Sequence, residues 1–266
     1  MEKTITDNSL IPIMMITWDR LEYTKQAIKA LLENTIYPFK LWIWDNGSTD
    51  GTVEYLRDIY DERIQVIFSH ENVGLIPPMN EFFDWYKDAE YVSKVDNDTI
   101  VPRGWLTKLK NVMDSLPLFV IQSAHYLGLP YKLENNQEFY NQLAKVEFEG
   151  ENLYLFPHVS GTGVLIRRKH IDEPVEKKEG TLSGWVNYQF LKCRNGNLRC
   201  AFYSGVWVDR LDFVDTNKIK CDYPKYLEGI NMMRSGEKSN NGFGKMNIPT
   251  EHLKKVKESM QVRWHS

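Results

Sequence analysis

The chain has 266 residues, 42% of them hydrophobic and 26% charged, a balance that allows a sizeable core and excludes a disordered polyelectrolyte. Lys and Arg total 33 against 36 Asp and Glu, for a formal net charge of −3, so the overall electrostatics give no case for nucleic acid as a partner. The three cysteines, Cys193, Cys200 and Cys221, form no CxxC pair, and an odd count without a secretory segment predicts free thiols in a reducing, cytoplasmic setting. No stretch reaches the ~18–20 uninterrupted apolar residues needed to span a bilayer, so the chain is expected to be soluble.

The first half alternates strand and helix signals. Ile11 to Thr17 is a β-branched and apolar run, and Leu21 to Asn34 carries Ala27, Ile28, Leu31 and Leu32 at helical spacing. Leu41 to Trp44 predicts a second strand, ended by Asp45-Asn46-Gly47-Ser48, with a helix beginning near Thr49 or Asp50. Ile64 to Phe68 reads as a strand, Pro77 to Tyr86 as a helix and Tyr91 to Val95 as a strand stopping at Asp96. This alternation predicts an α/β fold with a mostly parallel central sheet flanked by helices.

The second half is less regular. Leu127 to Gly150, rich in Tyr, Asn, Gln and Glu, reads as a long surface excursion. Val159 to Arg168 reads as loop plus strand, Ser183 to Asn195 as a helix, and Arg199 to Asp209 as one or two strands. From residue 215 onward, ten basic and six acidic residues make the tail +4 and leave the rest at −7. The expected organisation is one domain over residues 1–214, in halves 1–110 and 111–214, and an extension over 215–266.

Ligands of open α/β sheets gather beyond the carboxyl ends of the strands. Thr17-Trp18-Asp19-Arg20, the Asp45 to Asp50 segment and Asp96-Asn97-Asp98 each follow a predicted strand directly, so three sequence-distant polar groups should converge on one rim. Two carboxylates two residues apart suit Mg²⁺ or Mn²⁺, which complete their shells with water and phosphate oxygens; an ordinary Asx-rich turn gives the same string. There is no GxxxxGK[ST], no GxGxxG after the first strand and no HExxH, which demotes P-loop, dinucleotide and zinc chemistry.

Taken together, Ile11 to Arg20, Asp45-Asn46-Gly47-Ser48-Thr49-Asp50-Gly51-Thr52, Asn72-Val73-Gly74 with Met79-Asn80, and Asp96-Asn97-Asp98 resemble family 2 glycosyltransferases of the GT-A fold in order and spacing. Val159 to Arg168 is similar to the acceptor-side glycine loop and strand of that family. The resemblance implies a metal-dependent transfer of sugar from a nucleotide-diphosphate donor, a UDP-sugar above all, to a hydroxyl of a glycan or glycolipid. It implies that Thr17 and Asp19 line the nucleotide pocket, that Asp45 accepts the imide N–H of the base, and that Asp96, with Asn97 between, approaches the ribose or the metal's water shell. Asp98 would ligate the metal, Mn²⁺ or Mg²⁺. Asn72, Gly74 and Asn80 would line the donor pocket, and Gly161, Thr162, Gly163 and Trp185 the acceptor side. Lys94 and Arg103 are the nearest basic residues for a phosphate, with a solvated charge the expected role of each.

Two departures from the family pattern stand out. The acidic pair that supplies a general base in relatives falls here on Gly184 and Trp185. The base therefore comes from elsewhere (Glu179, Glu176 or Asp172, with Glu179 nearest), or the reaction retains configuration, or the chain binds donor without efficient turnover. In addition, where relatives often place a metal-binding His, this chain has Asp209 and Arg210; Asp209 would then serve as a third oxygen ligand or pair with Arg210. Nucleotidyl transfer and a carbohydrate- or nucleotide-binding module remain as alternatives. In the tail, Leu253, Val256, Met260 and Trp264 form an apolar stripe beside Lys254, Lys255, Lys257 and Arg263, a pattern for peripheral contact with an anionic membrane or for packing on the chain's own domain.

Overall fold

A computed structural model describes residues 10–117, 119–127, 143–156, 161–171 and 199–211. Within them the order is β1 (Ile11–Thr17), α1 (Leu21–Asn34), β2 (Phe39–Asp45), α2 (Thr52–Asp58), β3 (Ile64–Phe68), α3 (Ile76–Trp85), β4 (Tyr91–Lys94), β5 (Thr99–Ile100), α4 (Trp105–Ser115), β6 (Phe119–Leu127), β7 (Lys145–Phe148), β8 (Glu151–Phe156), β9 (Val164–Arg167) and β10 (Arg199–Arg210). One sheet joins all the strands in the order β3-β2-β1-β4-β9-β6-β10-β8-β7, with β5 paired to β10.

The expected parallel arrangement holds for β3, β2, β1 and β4, and for β6 beside β10. β9 runs antiparallel between β4 and β6. Adjacent parallel strands require covered crossovers, and the helical periodicity of Leu21 to Asn34 supplies one: Thr24, Ala27, Ile28, Ala30 and Leu31 form its buried face.

β1 is buried along its whole length because it is central. Its odd positions Ile11, Ile13 and Met15 enter one core with Leu31, Leu41, Ile43, Trp105 and Leu109. Its even positions Met14 and Ile16 enter a second core with Met79, Phe82, Tyr86 and Ile166. The period-2 alternation of a strand thus separates two cores across one sheet. α3 closes the second core with Tyr86, whose hydroxyl accepts a hydrogen bond from Trp42 Nε1 and whose pKa is pushed up to about 12 by burial.

Three sequence expectations change or sharpen. The excursion from Leu127 to Gly150 ends in regular structure, since Lys145 to Phe148 pairs antiparallel with β8; polar alternation hid a strand whose buried residue is Val146. Arg199 to Arg210 is one strand, pairing with β6 and β8 and shifting register between Tyr203 and Trp207. Cys200 is disulfide-bonded, against the expectation of free thiols; odd-count arithmetic does not detect a single bridge. The expected helix from Ser183, together with Asp172, Glu176, Glu179, Trp185 and the whole 215–266 tail, lies outside the described residues. Among the described residues, no helix is long and apolar enough to cross a membrane.

Candidate functional site

The site begins where β1 ends. Asp19 and Arg20 both adopt positive φ, 52° and 63°, a conformation that costs non-glycine residues roughly 1–3 kcal/mol each. Several bonds hold it. The Asp19 N–H donates to Ser48 Oγ at 2.8 Å, and Asp19 Oδ1 accepts the Thr49 N–H at 2.7 Å. The Tyr23 and Thr24 N–H groups both donate to the Arg20 carbonyl, so the strained pair is also the start of α1. Asp50 serves two helices, its Oδ2 accepting the Leu21 N–H at 2.8 Å and its Oδ1 the Thr52 N–H at 3.2 Å.

The loop after β2 connects to the loop after β3. Asn46 accepts the Val73 N–H through Oδ1 and donates through Nδ2 to the Gly74 carbonyl. Gly47 has φ +74°, and a Cβ there would sit 3.0 Å from the Glu71 backbone, so only glycine lets the two loops touch. Asn72 caps the Gly74 N–H at 2.9 Å, and Asn80 is half-buried on α3.

Asp45 lies at the base of this loop, opposite Thr17 in the β1–β2 register. It is buried, and its Oδ2 accepts the Ser48 N–H at 3.1 Å. Its Oδ1 is buried with no hydrogen-bond partner. Burial pushes its carboxyl pKa up, against the lowering effect of the Ser48 hydrogen bonds.

The Asp96 to Asp98 turn joins the same rim. Asn97 Nδ2 donates to Thr17 Oγ1 and Thr24 Oγ1, each at 3.0 Å, and Asn97 Oδ1 accepts from Arg20 Nη2 at 2.5 Å. Asp98 Oδ2 accepts from Arg20 Nη1 at 2.9 Å and from Arg210 Nη2 at 3.4 Å. The carboxylate is only 1% exposed, whereas the Arg210 side chain is 20% exposed. Lys94 pairs with Asp96 Oδ1 and donates to the Gly161 carbonyl at 2.7 Å. This corrects the expectation of a solvated charge at Lys94, which is buried; Arg103 is exposed as expected.

The glycine loop closes the far side. Thr162 Oγ1 accepts the Asp96 N–H at 2.8 Å and shares a 2.8 Å hydrogen bond with Thr99 Oγ1. Gly163 has φ +59°, a backbone turn that glycine adopts without strain before β9 begins.

The residues expected to hold a divalent cation can be compared with that chemistry. Asp98 receives two guanidinium groups and Asp96 an ammonium group. Asp209 is an exposed residue opposite Ile100 in the β5–β10 pairing, and partial desolvation raises its carboxyl pKa. Among the described residues no group of three or more His, Cys, Asp or Glu side chains is placed to hold a metal. A divalent ion at Asp98 would lie beside two fixed positive charges, each unit-charge repulsion on the order of 4 kcal/mol at 4 Å near a protein surface. The donor set as folded does not fit Mn²⁺ or Mg²⁺ at Asp98.

The rim is therefore built from loops after β1, β2, β3 and β4, with the glycine loop and β10 closing it. The profile of glycosyl transferase family 2 matches residues 13–173. This chain belongs to that family. Two glycosyltransferases of Haemophilus influenzae, both described as uncharacterized, resemble this family 2 chain. One is 23% identical over 46% of this chain and 42% of its own length, the other 27% identical over 39% and 42%, so the alignments span less than half of each.

Solved structures share the fold of this family 2 member at low identity. A mannosyltransferase from Pyrobaculum calidifontis, in complex with GDP-Man and Mn²⁺, superposes with a TM-score of 0.57 at 15% identity, covering 76% of this chain and 56% of that one. S. aureus TarS 1–349 in complex with UDP-GlcNAc gives 0.54 at 14% identity, covering 94% and 79%. GalNAc-T7 with UDP, GalNAc and Mn²⁺ gives 0.56 at 12% identity, covering 96% and 55%. The fold is GT-A.

Arg20 is the residue that reading the sequence undervalued. It was visible only as the last member of a polar cluster, and nothing in its local pattern signals a partner 78 residues away. Arg210 was identified by its position in place of a metal-binding His.

Proposed function

We propose that the chain is a glycosyltransferase that moves a sugar from a nucleoside-diphosphate donor to a hydroxyl of a glycan or glycolipid acceptor. The bond from the sugar's anomeric carbon to the β-phosphate oxygen breaks, and the nucleoside diphosphate leaves with the electron pair. The acceptor oxygen bonds to that carbon and its proton passes to a base. The observation that carries the reading is the unpartnered Oδ1 of buried Asp45, at the end of the strand where the three loops are linked. An isolated buried acceptor of this kind is costly unless a ligand satisfies it.

A uracil imide N–H is a donor of the required type, which favours a UDP-sugar. Asp45 Oδ1 has no accessible area, so a base reaching it displaces the side chains that cover it. Thr17, Asp19 and Asn97 frame this end of the donor pocket, and Asn72, Gly74 and Asn80 its outer wall. Asp96, whose side chain is 29% exposed, approaches the ribose. Gly161, Thr162 and Gly163 form the acceptor side, to which the family resemblance adds Trp185, with Glu179 as the proposed base. Preorganised charges aimed at the developing negative charge of the leaving diphosphate lower the barrier. The divalent cation implied by the family resemblance is not part of this reading, because Asp98 and Asp96 are already paired with basic side chains.

The test is incubation with UDP- and GDP-sugars and a panel of glycan and lipid-linked acceptors, followed by mass spectrometry. A product heavier by one sugar, with release of nucleoside diphosphate, is the expected result. Release of inorganic pyrophosphate would indicate nucleotidyl transfer, and donor binding with no product a binding module.

A further inference from the structure

Every residue of β4 is buried, and its last, Lys94, carries a charge on a side chain only 8% exposed. The sheet itself does not call for an ammonium there. Lys94 lies between Met14 of β1 and Val164 of β9 in the strand register, and both of these belong to the second apolar core. A buried lysine is costly unless paired, and a buried ion pair adds little net stability over well-packed apolar residues. Its contribution therefore lies in what the ammonium holds in place.

The two partners of Lys94 belong to two different loops. Its Nζ pairs with Asp96 Oδ1 in the turn after β4 and donates to the Gly161 carbonyl at 2.7 Å in the loop before β9. The same two segments also meet through Ser93 Oγ, which donates to the Val164 carbonyl at 2.7 Å, and through the Asp96 N–H, which donates to Thr162 Oγ1 at 2.8 Å. Thr99 Oγ1 and Thr162 Oγ1 share a further hydrogen bond of 2.8 Å. Of these contacts, that of Lys94 alone involves the Asp96 carboxylate, a side chain that keeps 29% of its surface exposed. A charge-assisted hydrogen bond to one carboxylate oxygen fixes the direction in which the exposed part of the group is presented.

We infer that Lys94 is a positioning residue of the donor site. It holds the Asp96 carboxylate in the orientation that accepts a ribose hydroxyl and joins that carboxylate to the Gly161 carbonyl, so that one ammonium keeps the donor-side turn and the acceptor-side loop in register. Lys94 acts through Asp96 and Gly161. The inference rests on the proposed reading of this rim as a nucleotide-sugar site with Asp96 at the ribose.

The experiment is calorimetric titration of the full chain, wild type and Lys94→Met, with UDP, GDP and the 2′,3′-dideoxy form of each. Lys94→Met keeps the aliphatic stem and removes the ammonium. The variant is expected to weaken the ribonucleotide that wild type binds by about fivefold or more, and its dideoxy form, which offers Asp96 no hydroxyl, by less than about twofold, as loss of an oriented charge-assisted contact dictates. A merely structural role weakens both forms equally; that result, or no weakening of either, overturns the inference and leaves the transferase reading standing. No binding of either nucleotide to wild type removes both. Should the variant fail to fold, or the dideoxy form bind too weakly to titrate, hydrogen–deuterium exchange on wild type with the ribonucleotide decides. Joint protection of peptides covering 96–98 and 161–167 is expected, and protection of either segment without the other overturns the inference. A bound nucleotide that protects neither removes the reading of the rim as well.

Discussion

Arg20 and Asp98 are 78 residues apart and form an ion pair of 2.9 Å with both side chains nearly inaccessible to water, 6% and 1% exposed. The pair connects the first βα turn to the turn after β4. Arg20 makes this contact, and the one to Asn97, from a backbone of positive φ, 63°.

Replacing Arg20 with Ala removes one of the two cations that the described residues place on Asp98, and the donor to Asn97 Oδ1. Breaking one side of a buried ion pair costs on the order of 3 kcal/mol, and urea unfolding is expected to show a loss of about that size. A loss below about 1 kcal/mol would mean that the pair behaves as a solvated one.

Asp45 gives a pH dependence whose sign follows from its raised pKa. A carboxyl titrating higher in the folded chain than its unfolded value of 3.8 binds its proton more tightly when folded. Its contribution to stability is therefore full below that value and is lost as pH rises through the folded pKa. Asp45→Asn removes the ionisation while keeping an acceptor for the Ser48 N–H. The variant is expected to gain stability relative to wild type as pH is raised from 3.8 through the folded value, measured by denaturant titration at a series of pH values. A difference that does not change with pH contradicts the burial account.

Much of this arrangement was legible in the sequence, and the misses have a common cause. β1, α1 and β3 match their predicted bounds because each has a strong local periodicity, and the polar ends of β1, β2 and β4 give the rim directly. Partner choice within the rim was not legible. The pairing of Asp98 with Arg20 and Arg210 has no local signal; Lys94, read as solvated, is buried against Asp96 and Gly161. These pairings depend on strand order and on β10 returning beside β5, which no local window contains. Cys200 is the same case, since a bridge is a tertiary fact.

Gly47 tests how closely the loops after β2 and β3 must approach. Gly47→Ala places a Cβ 3.0 Å from the Glu71 backbone at φ +74°, a combination expected to cost about 1–3 kcal/mol. Asn46 lies next to it and holds Val73 and Gly74, so nucleotide affinity should fall with stability. A variant with wild-type melting temperature and affinity would show that the loops do not need this contact.

The disulfide at Cys200 predicts the outcome of thiol counting. With three cysteines in the chain and Cys200 bridged, an intact protein denatured without reductant should take up one alkylating group, and three after reduction, as seen by intact mass. Three groups without reductant contradicts the bridge.

The central claim is that the turns at 17–20, 45–50, 72–74 and 96–98 form one nucleotide-binding rim. Hydrogen–deuterium exchange with and without saturating UDP or GDP tests it most directly. The account predicts simultaneous protection of peptides from all four segments on binding. A nucleotide that binds and protects only one of them, or only segments remote from them, contradicts it.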